Sequence, residues 1–137
     1  MKIILLILIG LNLLNADFIK SGDIVKESVS NLEFQDDMQN TTMTWQSALS
    51  YCENLTLGGY SDWRLPSINE LKAIVDRSKI APAIVSTFTN TGSNNYWSAT
   101  TTEYNKTYAW TLRSYYGDID YVLKTSSNGV RCVRDGQ

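Results

Sequence analysis

The sequence contains no histidine. That absence removes the Ser-His-Asp and Cys-His arrangements, His-ligated zinc and a histidine general base. Cysteine is scarce as well, with Cys52 and Cys132 alone. There are no internal repeats, no low-complexity tract and no long linker. Clusters of Lys and Arg are also missing: 12 basic residues stand against 14 acidic ones. Nucleic-acid binding needs such clusters to displace counterions, so no nucleic-acid partner is expected. The one long apolar stretch, at the start of the chain, is interrupted by Asn12 and Asn15. A membrane span needs roughly 20 consecutive apolar residues.

What that stretch does fit is a leader. Lys2 precedes the apolar run from Ile3 to Ile9, and a small residue, Ala16, precedes a polar change. This is the pattern of a secretory signal peptide over residues 1–16, with no transmembrane segment in the mature chain. The residue directly after the cleavage point is Asp17 and not a cysteine, which disfavours a lipid anchor. Residues 17–137 then form one domain of ordinary size. Without Lys2 it carries 11 basic and 14 acidic residues, a mildly acidic balance. The expected location is exported: periplasmic, cell-surface or extracellular.

Residues 18–36 read as a strand pair, with Phe18, Ile19, Ile24 and Val25 in one strand and Leu32 and Phe34 in the other. Residues 38–42 read as a loop. Trp45, Ala48, Leu49, Cys52 and Leu55 recur at helical spacing, with Thr44 as N-cap and Gly58-Gly59 as terminator. A second helix opens on a capping box made by Ser67 and Glu70. Its apolar face is Ile68, Leu71, Ile74 and Val75, with Arg77 and Lys79 near its C-terminal end. Residues 86–95 are loop-like. Strands are expected over 96–101, 107–113, 119–124 and 129–134, with turns at Tyr116-Gly117-Asp118 and Ser126-Ser127-Asn128. The order predicts an α+β fold with a mostly antiparallel sheet.

Several of these segments are distinctive. The run Met43-Thr44-Trp45-Gln46-Ser47-Ala48-Leu49-Ser50-Tyr51-Cys52-Glu53-Asn54-Leu55 is followed by Gly59-Tyr60-Ser61-Asp62-Trp63-Arg64-Leu65-Pro66-Ser67-Ile68-Asn69-Glu70-Leu71. With Tyr96-Trp97-Ser98-Ala99-Thr100 and the closing Val130-Arg131-Cys132-Val133-Arg134, they resemble the Lcl C-terminal domain family, named for the end domain of a bacterial collagen-like adhesin. The resemblance implies a variant of the C-type lectin fold, which also contains the formylglycine-generating enzymes. Two helices would pack on a twisted, mostly antiparallel sheet, with the chain ends close together. It further implies ligand binding, and in the namesake an adhesive role toward sulfated glycosaminoglycans. This chain has no collagen-like Gly-X-Y region, and its acidic balance is unlike that of a sulfated-sugar binder.

An exported chain meets oxidising conditions, so Cys52 and Cys132 are expected to form a structural disulfide joining the first helix to the last strand, as in C-type lectin folds. Formylglycine-type catalysis uses additional cysteines, and none remain. In the motif, Trp63 and Leu65 are expected to pack, Pro66 to set how the chain enters the helix, and Arg64 to bond backbone or a carboxylate. Trp45, Ser67 and Glu70 complete this structural set.

Eight aromatic residues fall between Tyr96 and Tyr121. Strand alternation puts Tyr108, Trp110 and Leu112 on one face with Ile119, Tyr121 and Leu123. An inward Cys132 makes that face core, and leaves Thr111, Arg113, Asp118, Asp120, Lys124 and Arg131 on the outer one. Tyr104, Tyr115 and Tyr116 fall at turns. The candidate ligand-binding residues are therefore Tyr104, Arg113, Tyr115, Tyr116, Asp118 and Asp120. Calcium at Asp118 and Asp120 would need 6–8 oxygen ligands, and neither a Glu-Pro-Asn nor a Trp-Asn-Asp type of run is present. No cofactor is expected, with calcium kept as the alternative, and no catalytic residue is expected. The expectation is a non-catalytic recognition module for a glycan or a cell-surface or envelope protein. A structural subunit of an envelope assembly and an enzyme related to the formylglycine-generating group are the alternatives.

Overall fold

A computed structural model describes residues 15–37, 41–92 and 95–136. Most of the leader expected over residues 1–16, and part of the loop expected over 38–42, lie outside the described residues. Residues 18–35 form three strands rather than two: β1 (Phe18–Ser21), β2 (Ile24–Glu27) and β3 (Leu32–Gln35). The two-residue turn Gly22-Asp23 splits the first apolar segment, pairing Ser21 with Ile24. The expected strand at 129–134 also divides. Asn128–Gly129 and Val133–Asp135 join different sheets.

The full order adds β4 (Thr42–Met43), α1 (Trp45–Glu53), α2 (Ile68–Lys72), β5 (Asn95–Thr101), β6 (Tyr108–Arg113), β7 (Asp118–Leu123), β8 (Asn128–Gly129) and β9 (Val133–Asp135). One sheet runs β1-β2-β3-β9 and the other β4-β8-β5-β6-β7. All pairings are antiparallel except β5 with β8. The fold is α+β, with two short helices and mostly antiparallel sheets. Among the described residues no helix is long and apolar enough to cross a membrane.

Thr44 caps α1 as expected, its side chain accepting from the Ser47 amide. The helix stops earlier than Gly58. Asn54 closes it, donating its side-chain amide to the Ser50 carbonyl at 2.9 Å, a local bond that competes with helical continuation. Gly58 and Gly59 instead form the tip of a tight hairpin between Leu57 and Tyr60, both at positive φ, the conformation that a two-residue hairpin loop demands. The second helix also ends early, at Lys72, so Arg77 and Lys79 lie beyond it. Its capping box is present as expected.

Two apolar clusters hold the layers together. One joins Phe34, Leu71, Ile74, Phe88, Tyr96 and Leu112. The other joins Ala48, Cys52, Trp63, Leu65, Trp97, Ala109, Val130 and Cys132 around α1. The Cys52–Cys132 disulfide sits inside the second cluster, with the two Cα atoms 5.5 Å apart.

This second cluster overturns the expected core face of the meander. Trp97 pairs with Thr111 and Ala109 with Val122. Ala109 and Thr111 are fully buried, whereas Tyr121 and Leu123 are exposed and Tyr108 and Trp110 half-buried. The alternation was right and its direction wrong. Small residues face the helix because α1 lies close over that side, and the large aromatics take the open side. Leu112 is the exception, buried under α2 in the first cluster.

Candidate functional site

The turn from β6 to β7 gathers four of the six candidate residues. Arg113 and Asp118 are paired across its base. The Arg113 Nε donates to Asp118 Oδ1 at 2.8 Å, and its Nη2 bonds Oδ2. This bidentate bond holds the Asp118 carboxyl below the usual aspartate range. The same guanidinium lies over the Tyr116 ring, 5.4 Å from its centre. Tyr115 meets Tyr116 edge to face at 4.6 Å. Gly117 makes this turn possible. It sits at φ +77°, and a Cβ there would come within 2.7 Å of Val75 Cγ1.

Beside the turn lies a depression of about 230 Å³, lined by Ala81, Pro82, Thr91, Gly92, Ser114 and Tyr115. Its walls are tied by backbone bonds: Ala81 N–H to the Tyr115 carbonyl and Ala83 N–H to the Ser114 carbonyl, both at 2.8 Å. Sequence reading missed the 81–92 wall, because neither Ala-Pro nor Thr-Gly carries recognisable chemistry. The turn aromatics were the only available signal.

The other two candidates lie outside the turn itself. Asp120 lies two residues along β7 from Asp118, on the same face of the strand, where its charge adds to that around Arg113, and its carboxylate accepts the Tyr121 backbone N–H at 2.8 Å. That bond covers a donor on an edge strand, a place where an unpaired N–H invites pairing with another chain. Tyr104 is 91% exposed in the turn from β5 to β6. The length of β6, roughly 20 Å at about 3.3 Å per residue, separates it from Tyr115. Among the described residues, no group of three or more acidic or cysteine side chains is placed to hold a metal ion.

The Trp63-Arg64-Leu65-Pro66 segment is structural. Trp63, Leu65 and Pro66 are buried. Trp63 Nε1 donates to the Leu57 and Tyr60 carbonyls, and Trp45 Nε1 donates to the Ser98 carbonyl at 2.9 Å. Arg64 grips both Glu70 oxygens at 2.7 Å and also reaches Asp135. The Arg64 bond, aided by the Ser67 amide, outweighs burial and lowers the Glu70 carboxyl. Next to it, Arg134 stacks on Tyr60 at 3.6 Å and bonds Asp62 and Glu33. The motif thus fastens β9 to the loop before α2. Ser67→Ala is expected to cost about 1 kcal/mol, the usual value of an N-cap, measurable as a shift in urea midpoint with unchanged slope.

A buried polar network was not legible at all. Arg131, expected on an outer face, is 3% exposed. It donates to the Gln35 and Asn90 carbonyls and to Asp36, and its guanidinium stacks on Phe88 and Tyr96. Asp36 is buried and also accepts from Lys20 Nζ at 2.5 Å and from the Thr89 and Asn90 amides at 3.0 Å. Next along the chain, burial raises the Asp37 carboxyl, with Asp23 adding to the effect against a Gln35 bond. A raised carboxyl means the fold disfavours its charge at neutral pH. Asp37→Asn should therefore raise the melting temperature at pH 7, and the gain should vanish below about pH 4, where the wild-type side chain is itself protonated.

No curated protein matches the chain. The Lcl C-terminal domain family matches residues 23–134, from the first hairpin turn to within β9. That span includes the capped helices, the fastening motif, both cysteines and the aromatic turn. A family of this kind points to a surface or adhesion-type module, and the chain belongs to the Lcl C-terminal domain family.

Proposed function

We propose that this protein is an exported, non-catalytic recognition module with a C-type lectin-like fold, binding a glycan or a protein surface through the β6–β7 turn. The observation that carries this reading is the grouping of Arg113, Tyr115, Tyr116 and Asp118 beside the 230 Å³ depression. Rigid aromatic rings present large contact area at low entropic cost. The paired Arg113 and Asp118 offer donors and acceptors on one rim while leaving little net charge, which suits a neutral sugar or a mixed protein surface better than a polyanion. Family membership and the disulfide that ties α1 to the chain's last segment support the fold and the exported location. The reading invokes no metal, and the bonds of Asp118 to Arg113 and of Asp120 to backbone support it. Both cysteines are in the bridge, so chemistry of the formylglycine type has no thiol to use.

A glycan array and a surface-protein pull-down test the reading. Tyr115→Ala with Tyr116→Ala should weaken any detected binding at least ~10-fold, the scale of an aromatic hot spot. Unchanged affinity for every ligand detected would place the site elsewhere.

A further inference from the structure

Three Asn-x-Thr tripeptides occur in the chain: Asn40-Thr41-Thr42, Asn54-Leu55-Thr56 and Asn105-Lys106-Thr107. In an exported protein such a tripeptide on the surface is an acceptor for N-linked glycan. The first begins outside the described residues. In the second, the Asn54 side-chain amide is engaged with the Ser50 carbonyl, closing α1, and Leu55 is half-buried.

Asn105 differs in each respect. Residues 103–107 are all exposed, at the tip between β5 and β6. The Asn105 Oδ1 accepts from the Thr107 amide at 3.0 Å and from the Thr107 hydroxyl at 2.7 Å. Its Nδ2 has no partner among the described residues. The backbone beneath is fixed, since the buried Thr102 hydroxyl donates to the Asn105 carbonyl at 2.6 Å. Glu103 stands two positions before the asparagine, the acidic position that bacterial N-oligosaccharyltransferases select. Asn105 also lines a depression of about 260 Å³ whose other walls are Thr102, Tyr104, Tyr108 and Tyr121. Tyrosine rings suit the apolar faces of sugars.

We propose that Asn105 is an N-glycosylation site and that the tyrosine-walled depression seats the first sugars of its glycan. The donor is a polyprenyl-diphosphate-linked oligosaccharide, supplied with an oligosaccharyltransferase. The Asn105 Nδ2 forms a bond to the anomeric carbon. The bond from that carbon to the diphosphate oxygen breaks, polyprenyl diphosphate leaves, and one amide proton passes to a base of the transferase. The Thr107 hydroxyl bond to Oδ1 orients the carboxamide with Nδ2 facing outward.

The test uses the purified folded chain, a bacterial oligosaccharyltransferase and its lipid-linked donor, followed by intact-mass and peptide mapping. One glycan on the Asn105 peptide is expected. It should disappear in Asn105→Gln and Thr107→Ala, persist in Thr107→Ser, and fall at least ~10-fold in Glu103→Gln. Tyr115→Ala with Tyr116→Ala should be modified like wild type, which separates this proposal from the recognition site. An unmodified Asn105, in a reaction that glycosylates a control peptide of the same five residues, would overturn the assignment. So would modification at Asn54 alone. Glycosylation should also move the backbone amide resonances of Tyr108 and Tyr121, and unmoved resonances would remove the seating.

Discussion

Asp36→Ala is expected to destabilise the domain by about 3–5 kcal/mol, the cost of removing one partner from a buried charge pair. Asp36 is the meeting point of β1, β3, the 87–92 loop and the segment before β9. It accepts from Lys20, from the Thr89 and Asn90 amides and from Arg131. Its loss leaves the buried charge of Arg131, whose side chain is 4% exposed, without the carboxylate bonded to it. A domain of this size has about 5–15 kcal/mol in total, so the variant should be near the edge of folding at room temperature. Urea denaturation of the mature chain measures this. A loss under ~1 kcal/mol would mean that water reaches Arg131 and replaces the carboxylate.

The same residue shapes the acid limit. Burial pushes the Asp36 carboxyl up, but the Lys20 bond, the two amides and Arg131 outweigh it and hold it below the ordinary range. Glu70 is lowered too, first by Arg64. A lowered carboxyl binds protons more weakly in the folded than in the unfolded chain. Its contribution is complete above the unfolded value, near 4, and is lost as pH falls through the folded value. Stability should therefore hold from neutrality to about pH 5 and decline below about 4. Asp36→Ala should flatten that decline, because one of the groups that drives it is gone.

What could be read in advance followed local chemistry. Thr44, Ser67 and Glu70 announced helix starts because capping depends on neighbours three residues away. Helix ends were harder. Asn54 and Gly58-Gly59 are both stop signals, and the earlier one closed the helix. Alternation along β6 and β7 separated Tyr108, Trp110 and Tyr121 from Ala109 and Thr111. Choosing the inner side required knowing where α1 lies, and Cys132 misled because β8 and β9 belong to different sheets. A buried Cys132 reports the α1 cluster, which Ala109 and Thr111 face. The turn site was half legible. Tyr115 and Tyr116 stood out as aromatics at a turn. The Asp120 bond to the next residue's amide was not legible, because nothing in a sequence shows an aspartate turning onto its neighbour's backbone. The Asp36 and Arg131 network had no local signature, since its members are drawn together from positions 20, 36, 90 and 131.

Removing the disulfide, by reduction or as Cys52→Ala with Cys132→Ala, is expected to cost roughly 4–5 kcal/mol on the chain-entropy account of a loop this long. The bridge closes a sequence separation of 80 residues. Both cysteines are fully buried against Ala48, Trp63, Leu65 and Trp97, so the double variant also leaves a cavity, which adds to the loss. Denaturation with and without reductant separates the two, because reduction leaves the sulfur atoms in place. Coincident midpoints in the two conditions would show that packing alone fixes the last segment. The position of Cys132 makes a coupled outcome the sharper test. Its neighbours are Arg131, which enters the Asp36 network, and Val133, which pairs with Phe34 in β3 and bridges Arg64. The bond and the ion pair therefore anchor the same three residues. Once the bridge is gone, the 131–133 segment is held less firmly, and Arg131 can swing toward water when its counterion is removed. Adding Asp36→Ala to the reduced protein should cost less than in the oxidised one, by at least ~0.5 kcal/mol, the scale at which neighbouring sites depart from additivity.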